Sequence, residues 1–239
     1  MNFFPLSIGL DISDSSLKAV VLRPEGDSSF ALVGFGREYL KEDAVEDGEI
    51  KNQDSFLLAL NSLCQNRKGT FHRSKYIVAS LPEEKAFLRI LELPSALKKE
   101  EVVEALKYEL EANIPMSLDE VYYDYEVLPS QPGSTYNNIM VNAIPKRIVD
   151  SYVNFFGQNG YQILALESGS FAARRSLFVS QEDIKETVLV LDIGAARTHF
   201  MIVAEGILRF TSSNSMAGNK FSQVLTEKCH FDGDRSAVR

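Results

Sequence analysis

One strand–turn–strand pattern occurs twice in this chain, and that repetition constrains the fold more than any other feature. GLDISDSSLKAVVL, Gly9 to Leu22, and VLVLDIGAARTHFMIV, Val188 to Val203, place Leu10, Asp11 and Ile12 over Leu191, Asp192 and Ile193. Gly194 then falls over Ser13, and His199 over Lys18. Each stretch reads as two strands of alternating, largely apolar residues joined by a turn of small residues. Two such units far apart in sequence predict two similar domains. A turn such as Ser13 to Ser16 crowds several backbone N–H groups together, which suits phosphate oxygens. With Asp11 and Lys18 beside it, the turn points to a nucleotide and its metal. For one occurrence alone a plain solvated hairpin is the better reading, since Asp and Ser fill turns for local reasons; the recurrence favours a phosphate chain held between two turns.

The chain has 239 residues, 45% of them hydrophobic, enough to bury one large core or two smaller ones without covalent staples. Its net charge of -8 opposes nucleic-acid binding, which needs a basic face. Cys64 and Cys229 lack CxxC spacing, and His72, His199 and His230 lack ligand spacing, so neither a disulfide scaffold nor a zinc site is suggested. These features fit a reducing cytoplasm. The start, MNFFPLS, is unlike a signal peptide, and no stretch reaches the roughly 18 apolar residues of a spanning helix. Membrane association is therefore expected only through a partner.

Along the chain, Phe30 to Phe35 reads as a strand, Glu38 to Gly48 as a charged connection and Gln53 to Cys64 as an amphipathic helix. Lys75 to Leu81 and Phe87 to Leu93 are strands closed by Pro82 and Pro94. Lys98 to Asn113 is a helix with Val102, Leu106 and Leu110 at every fourth position; its charged start is a solvated first turn, and Ile114-Pro115 ends it. Val121 to Leu128 alternates cleanly between two faces, and Pro129 to Asn138 forms a mobile hairpin loop. Ile139 to Ile144 is a strand, Arg147 to Gln158 a helix ending near Gly160, and Tyr161 to Glu167 a strand. Thr187 to Ser213 holds the second hairpin and one more strand. A helix then starts around Ala217, Gly218 and Asn219, and its first N–H groups either face phosphate or belong to an ordinary capped helix.

The two turns resemble the phosphate loops of the actin-like ATPase superfamily, in which two ribonuclease-H-like domains face each other across a nucleotide cleft. The phrase from Leu88 to Leu128 is similar to the inserted subdomain of the PilM family, cytoplasmic actin-like proteins of type IV pilus assembly. The shared features are Leu93-Pro94, the acid-aromatic-acid helix Glu104 to Glu111, Ile114-Pro115, the pair Asp119 and Glu120, and the Tyr-rich strand Tyr122 to Tyr125. DGEIKN, Asp47 to Asn52, and ALESGSFAARRSL, Ala165 to Leu177, carry the same resemblance.

The resemblance implies an α/β actin-like fold with an inserted strand-helix-strand-strand-helix-strand subdomain. Its expected parts are a first domain over 1–81, the insertion over 82–164, a return over 165–186, and the start of an incomplete second domain over 187–239. It also implies ATP with Mg²⁺, the metal held by Asp11 and Asp192 through water, and Lys18 offsetting phosphate charge. Ser13, Ser15, Ser16, Gly194, Arg197, Thr198 and Gly218 complete the phosphate set. Ser13 stands where relatives have Gly, Arg197 either reaches phosphate or points to solvent, and nothing after Gly218 supplies a glycine-rich adenosine motif, so weak nucleotide affinity is expected. The implied role is a non-enzymatic scaffold, at most a weak ATPase, at the inner face of the cytoplasmic membrane. It would bind the cytoplasmic N-terminal peptide of the membrane protein PilN, alongside other proteins of the inner-membrane platform, with self-association left open. Alternatives are an FtsA-like cell-division protein, a sugar or metabolite kinase of the same superfamily, and an adaptor without nucleotide.

Overall fold

The computed structural model describes residues 6–26, 29–69, 71, 74–83, 85–130, 133–178 and 186–229. His72, His230, Gln131 and Pro132 of the expected loop, and the side chain of Cys229 lie outside the described residues. The chain divides into two units, Met1–Ser168 and Gly169–Arg239.

In the first unit β1 (Ile8–Ile12), β2 (Ser16–Pro24) and β3 (Phe30–Tyr39) form an antiparallel meander. A small hairpin of β4 (Val45–Glu46) and β5 (Glu49–Ile50) leads into α1 (Gln53–Asn66), and β6 (Lys68–Gly69) returns to the edge of β3. β7 (Tyr76–Leu81) then runs parallel to β1. After β8 (Phe87–Pro94), α2 (Lys99–Asn113), β9 (Val121–Val127), β10 (Tyr136–Pro145) and α3 (Lys146–Gln158), strand β11 (Gln162–Ser168) pairs parallel with β7. The six-stranded sheet has the order β11-β7-β1-β2-β3-β6.

Alternation along these strands sends Leu10, Ile12, Leu17, Ala19 and Val21 to one face, where all are buried. Two amphipathic helices cover that face. The Asn52 side chain caps α1 by accepting from the Ser55 N–H at 3.0 Å, and Phe56, Leu60 and Leu63 form its buried stripe. α3 adds Ile148, Tyr152, Phe155 and Phe156. The Phe56 ring meets those of Phe155 and Tyr152 edge-on, at centroid distances of 4.9 and 6.1 Å.

The expected six-element insertion therefore divides. Strands β8, β10 and β9 make a separate three-stranded sheet, with α2 on one face and a core of Leu91, Leu93, Leu106, Leu110, Ile139 and Val141. α3 and β11 rejoin the first body, because the α3 stripe matches Phe56 and β11 completes the edge of β7. Within the expected insertion of 82–164, the part with its own sheet and core is 87–143.

In the second unit α4 (Gly169–Leu177) precedes β12 (Thr187–Ile193), β13 (Thr198–Ala204), β14 (Ile207–Asn214) and α5 (Gly218–Cys229). Arg174 Nε donates to the Gly206 carbonyl at 2.6 Å, tying α4 to the β13–β14 turn. α4 therefore groups with the second unit, whereas the sequence assigned it to the first. β12, β13 and β14 repeat the antiparallel order of β1, β2 and β3. The repeat extends to a bulge at matching positions, between Val21 and Leu22 in one unit and between Ile202 and Val203 in the other.

Candidate functional site

Asp11, near the end of β1, lies in register with Lys18 on β2 and with Ser80 on β7. Residues directly opposite on neighbouring strands share a face, so pairing alone assembles these groups. Lys18 Nζ donates to Asp11 Oδ2 at 2.9 Å, and Ser80 Oγ donates to Oδ1 at 2.8 Å. The same row continues to Arg37 on β3 and Glu167 on β11. Sequence reading found Asp11 and Lys18 and missed the other three; the signal for Ser80 is a hydroxyl near the end of the apolar run Tyr76 to Leu81. The Asp11 and Lys18 side chains are each 50% exposed. Their ion pair contributes at most about 1 kcal/mol to stability, and both groups stay accessible to a solute.

The first turn is closed on itself. The Ser13 N–H donates to the Ser16 carbonyl at 3.0 Å, and the Ser13 hydroxyl accepts from the Ser16 N–H at 3.1 Å. Ser15 offers its carbonyl to the Leu40 N–H at 3.0 Å. Among the described non-glycine residues only Asp47 and Glu205 have positive φ, so Ser13 sits in its turn without the backbone strain that would favour glycine. The amides of Ser13 and Ser16, expected to cradle phosphate, are engaged inside the turn.

The second turn has the same closure, with the Gly194 N–H donating to the Arg197 carbonyl at 2.9 Å. Here glycine is required by space: a Cβ on Gly194 would lie 2.9 Å from that carbonyl oxygen. Asp192 is exposed and stands opposite His199, as Asp11 stands opposite Lys18. His199 Nδ1 is buried and without a hydrogen-bond partner among the described residues. Two expected phosphate donors are otherwise occupied. The Thr198 hydroxyl donates to the Met216 carbonyl at 2.6 Å. The Gly218 and Asn219 N–H groups donate to the carbonyls of Gly194 and Ala195 at 3.0 and 2.8 Å, so the turn itself caps α5. Gly218 thus opens an ordinary capped helix. Arg197 is half-buried and engaged within the protein rather than pointing free into solvent. Among the described residues no three His, Cys, Asp or Glu side chains gather into a metal cluster.

A further surface lies between the insertion and the first body. The face of the small sheet away from α2 carries the register rows Ile90, Met140, Glu126 and Leu88, Asn142, Asp124. Met140 is buried yet belongs to neither core. The next row, Tyr122 and Ile144, reaches the first body: Ile144 joins its core, and the Tyr122 hydroxyl donates to Asp150 Oδ1 of α3 at 3.1 Å. That hydrogen bond pushes the Tyr122 phenol up from its usual range. Lys146 Nζ sits 5.4 Å from the Tyr122 ring centre. This face therefore meets α3 at its Tyr122 end. Beside it Arg147 meets Glu49 Oε2 at 2.5 Å and Lys51 meets the same atom at 2.9 Å. Burial pushes the Glu49 carboxyl up, and the two cations outweigh it, leaving the group below the usual carboxylate range.

The chain matches the family "Type IV pilus assembly protein PilM" over residues 9–238. A chain of the solved PilM-PilN type IV pilus biogenesis complex is similar in structure, with a TM-score of 0.80 and 22% identity, over 98% of this chain and 68% of that one. Fainter likenesses are to the ethanolamine utilization protein EutJ from Carboxydothermus hydrogenoformans and to MreB 5 of Spiroplasma citri bound to AMPPNP. Their TM-scores are 0.49 and 0.46, at 15% and 13% identity, over 98% and 97% of this chain and 60% of each of theirs. The likeness to the chain of the PilM-PilN complex spans the insertion as well as the two strand–turn–strand repeats. With a family match that runs through both turns and everything between them, the chain belongs to the PilM family of type IV pilus assembly proteins.

Proposed function

We propose that the chain is an actin-like scaffold of pilus biogenesis that holds the N-terminal cytoplasmic peptide of PilN between the insertion and α3. The observation that carries this reading is the sheet face that meets α3 at Tyr122, where apolar Leu88, Ile90 and Met140 lie beside the carboxylates of Asp124 and Glu126. An extended peptide laid there would bury alternate apolar side chains and leave basic ones to meet the acids. No helix among the described residues is long and apolar enough to cross a membrane, so the scaffold would meet the membrane through that partner. Calorimetric titration of a synthetic PilN N-terminal peptide into the whole chain tests it. Saturable binding, weakened at least tenfold by Ile90→Glu, is expected. No heat of binding, or equal binding by the variant, overturns the groove.

ATP with Mg²⁺ is the second part of the proposal. In this reading Asp11 would hold the hydrated metal in the first unit, Asp192 is its counterpart in the second, and Lys18 would offset phosphate charge. The closed first turn and the capped α5 leave few of the expected donors available, which favours weak affinity. That same shortage supports the adaptor reading, in which nucleotide plays no part, as the alternative to retain. Fluorescent ATP-analogue titration with Mg²⁺, and with Asp11→Asn as control, separates the two.

A further inference from the structure

We infer that the hairpin of β4 and β5 is a clasp on the insertion, with Asp47 and Glu49 as positioning residues for the peptide site. The inference rests on the peptide reading proposed above and adds what sets the angle of that site. DGEIKN, Asp47 to Asn52, lies in neither phosphate turn, yet its residues are engaged throughout. Asp47 and Gly48, with φ of 51° and 77°, close the two-residue turn that Asp-Gly favours. Ile50 is buried in the first core with Ala44 and Val45. The Lys51 N–H donates to the Ala44 carbonyl at 3.0 Å, and Asn52 caps α1. The hairpin is thereby fixed to the first body, and its two acids are carried on a rigid base.

Those acids reach both roots of the insertion. Asp47 Oδ2 lies 3.6 Å from Nζ of Lys85, just before β8 begins at Phe87. Glu49 Oε2 meets Arg147, just after β10 ends at Pro145. Lys51 meets the same oxygen at 2.9 Å, and the Glu49 side chain is only 21% exposed, so this pairing is the better sheltered of the two. Phe87 and Ala143 stand opposite each other, so the inserted sheet hangs from two neighbouring strands. An attachment of that kind leaves rotation as its soft motion, and holding the chain just outside both strands restrains it. Arg147 also belongs to the part of α3 that meets the inserted sheet: Lys146 lies by the Tyr122 ring, and Asp150 accepts from the Tyr122 hydroxyl. A shift at Arg147 is thus carried to the Tyr122 end of the peptide site. The ion pairs are open to water and individually weak, which suits setting an angle rather than holding the fold.

Calorimetry with the PilN N-terminal peptide and pulsed electron spin resonance, both on the whole chain, test the clasp. Spin labels go on Leu58→Cys in α1 and Tyr108→Cys in α2, both exposed, with Cys64→Ala and Cys229→Ala removing the native thiols. Asp47→Asn keeps a residue that tolerates positive φ, and Glu49→Gln keeps the shape of the side chain. Together they should broaden the distribution of distances between the labels and weaken peptide binding at least fivefold. Glu49→Lys alone should weaken it as much, and adding Lys51→Glu and Arg147→Glu, which restores opposite charges, should return the affinity to within about twofold of the parent. An unchanged distance distribution in the folded double variant overturns the clasp, whatever the affinity. A broadened distribution with unchanged affinity overturns the positioning role. A parent chain that binds no peptide overturns the peptide reading and the positioning role with it, while the label distances still decide the clasp. Should the double variant not fold by circular dichroism, Asp47→Asn alone, which keeps the turn, decides by the same two readouts.

Discussion

Ser13 and Gly194 occupy one position in two copies of a turn and satisfy it differently. Ser13 lends its hydroxyl to the Ser16 N–H, whereas Gly194 gives the Arg197 carbonyl room to approach. Gly194→Ala is expected to lower stability by about 1–3 kcal/mol, because the methyl must push that carbonyl out of the turn. Ser13→Gly should cost about 1 kcal/mol by orphaning the Ser16 amide. Urea unfolding measures both, and a neutral Gly194→Ala would mean that the turn is not held as described. The correspondence of Asp11 with Asp192 was legible in sequence because strand period and turn length fix it. The engagement of Thr198 and Gly218 was not, since those bonds go to Met216, Gly194 and Ala195 through a bend that no local pattern announces.

At the scale of elements, helix stripes were readable and their destinations were not. The spacing of Ile148, Tyr152 and Phe155 says that α3 buries one face; that the face meets Phe56 of α1 rather than the inserted sheet depends on three-dimensional complementarity. Phe56→Ala should therefore cost about 3–5 kcal/mol and lower the urea midpoint of the first unit, since it empties the centre of a ring cluster. A small loss would place the weight of that core elsewhere. Glu49 ties β5 to the start of α3 through Arg147. Its folded carboxyl sits below the usual range, so its contribution is present above that range and is lost as pH falls through the depressed value. Glu49→Gln should lower stability at neutral pH by less than about 1 kcal/mol and match the parent in acid. Urea midpoints across the acid range would show the two curves converging, and parallel curves would remove the carboxylate from the account.

For the whole molecule, the question is how far the insertion is a separable part of the first body. Phe87 pairs directly with Ala143, so the chain leaves and re-enters that body at points about 5 Å apart. Ala86 packs on the first core and Ile144 lies within it, while the inserted sheet and α2 keep a core of their own. The links across the boundary include the Tyr122–Asp150 hydrogen bond and the Lys146–Tyr122 contact, both exposed and individually weak. Replacing 87–143 by an Asn-Gly turn should then leave a chain that unfolds cooperatively and retains the Phe56 cluster, because a two-residue turn spans neighbouring antiparallel strands. On the proposed peptide site, the same deletion should abolish binding of the PilN peptide, since it removes the sheet face proposed to hold it. Circular dichroism with urea, and calorimetry with the peptide, read the two effects separately. A shortened chain that folds and still takes the peptide would move the binding site onto the first body, and one that cannot fold would make the insertion part of its core.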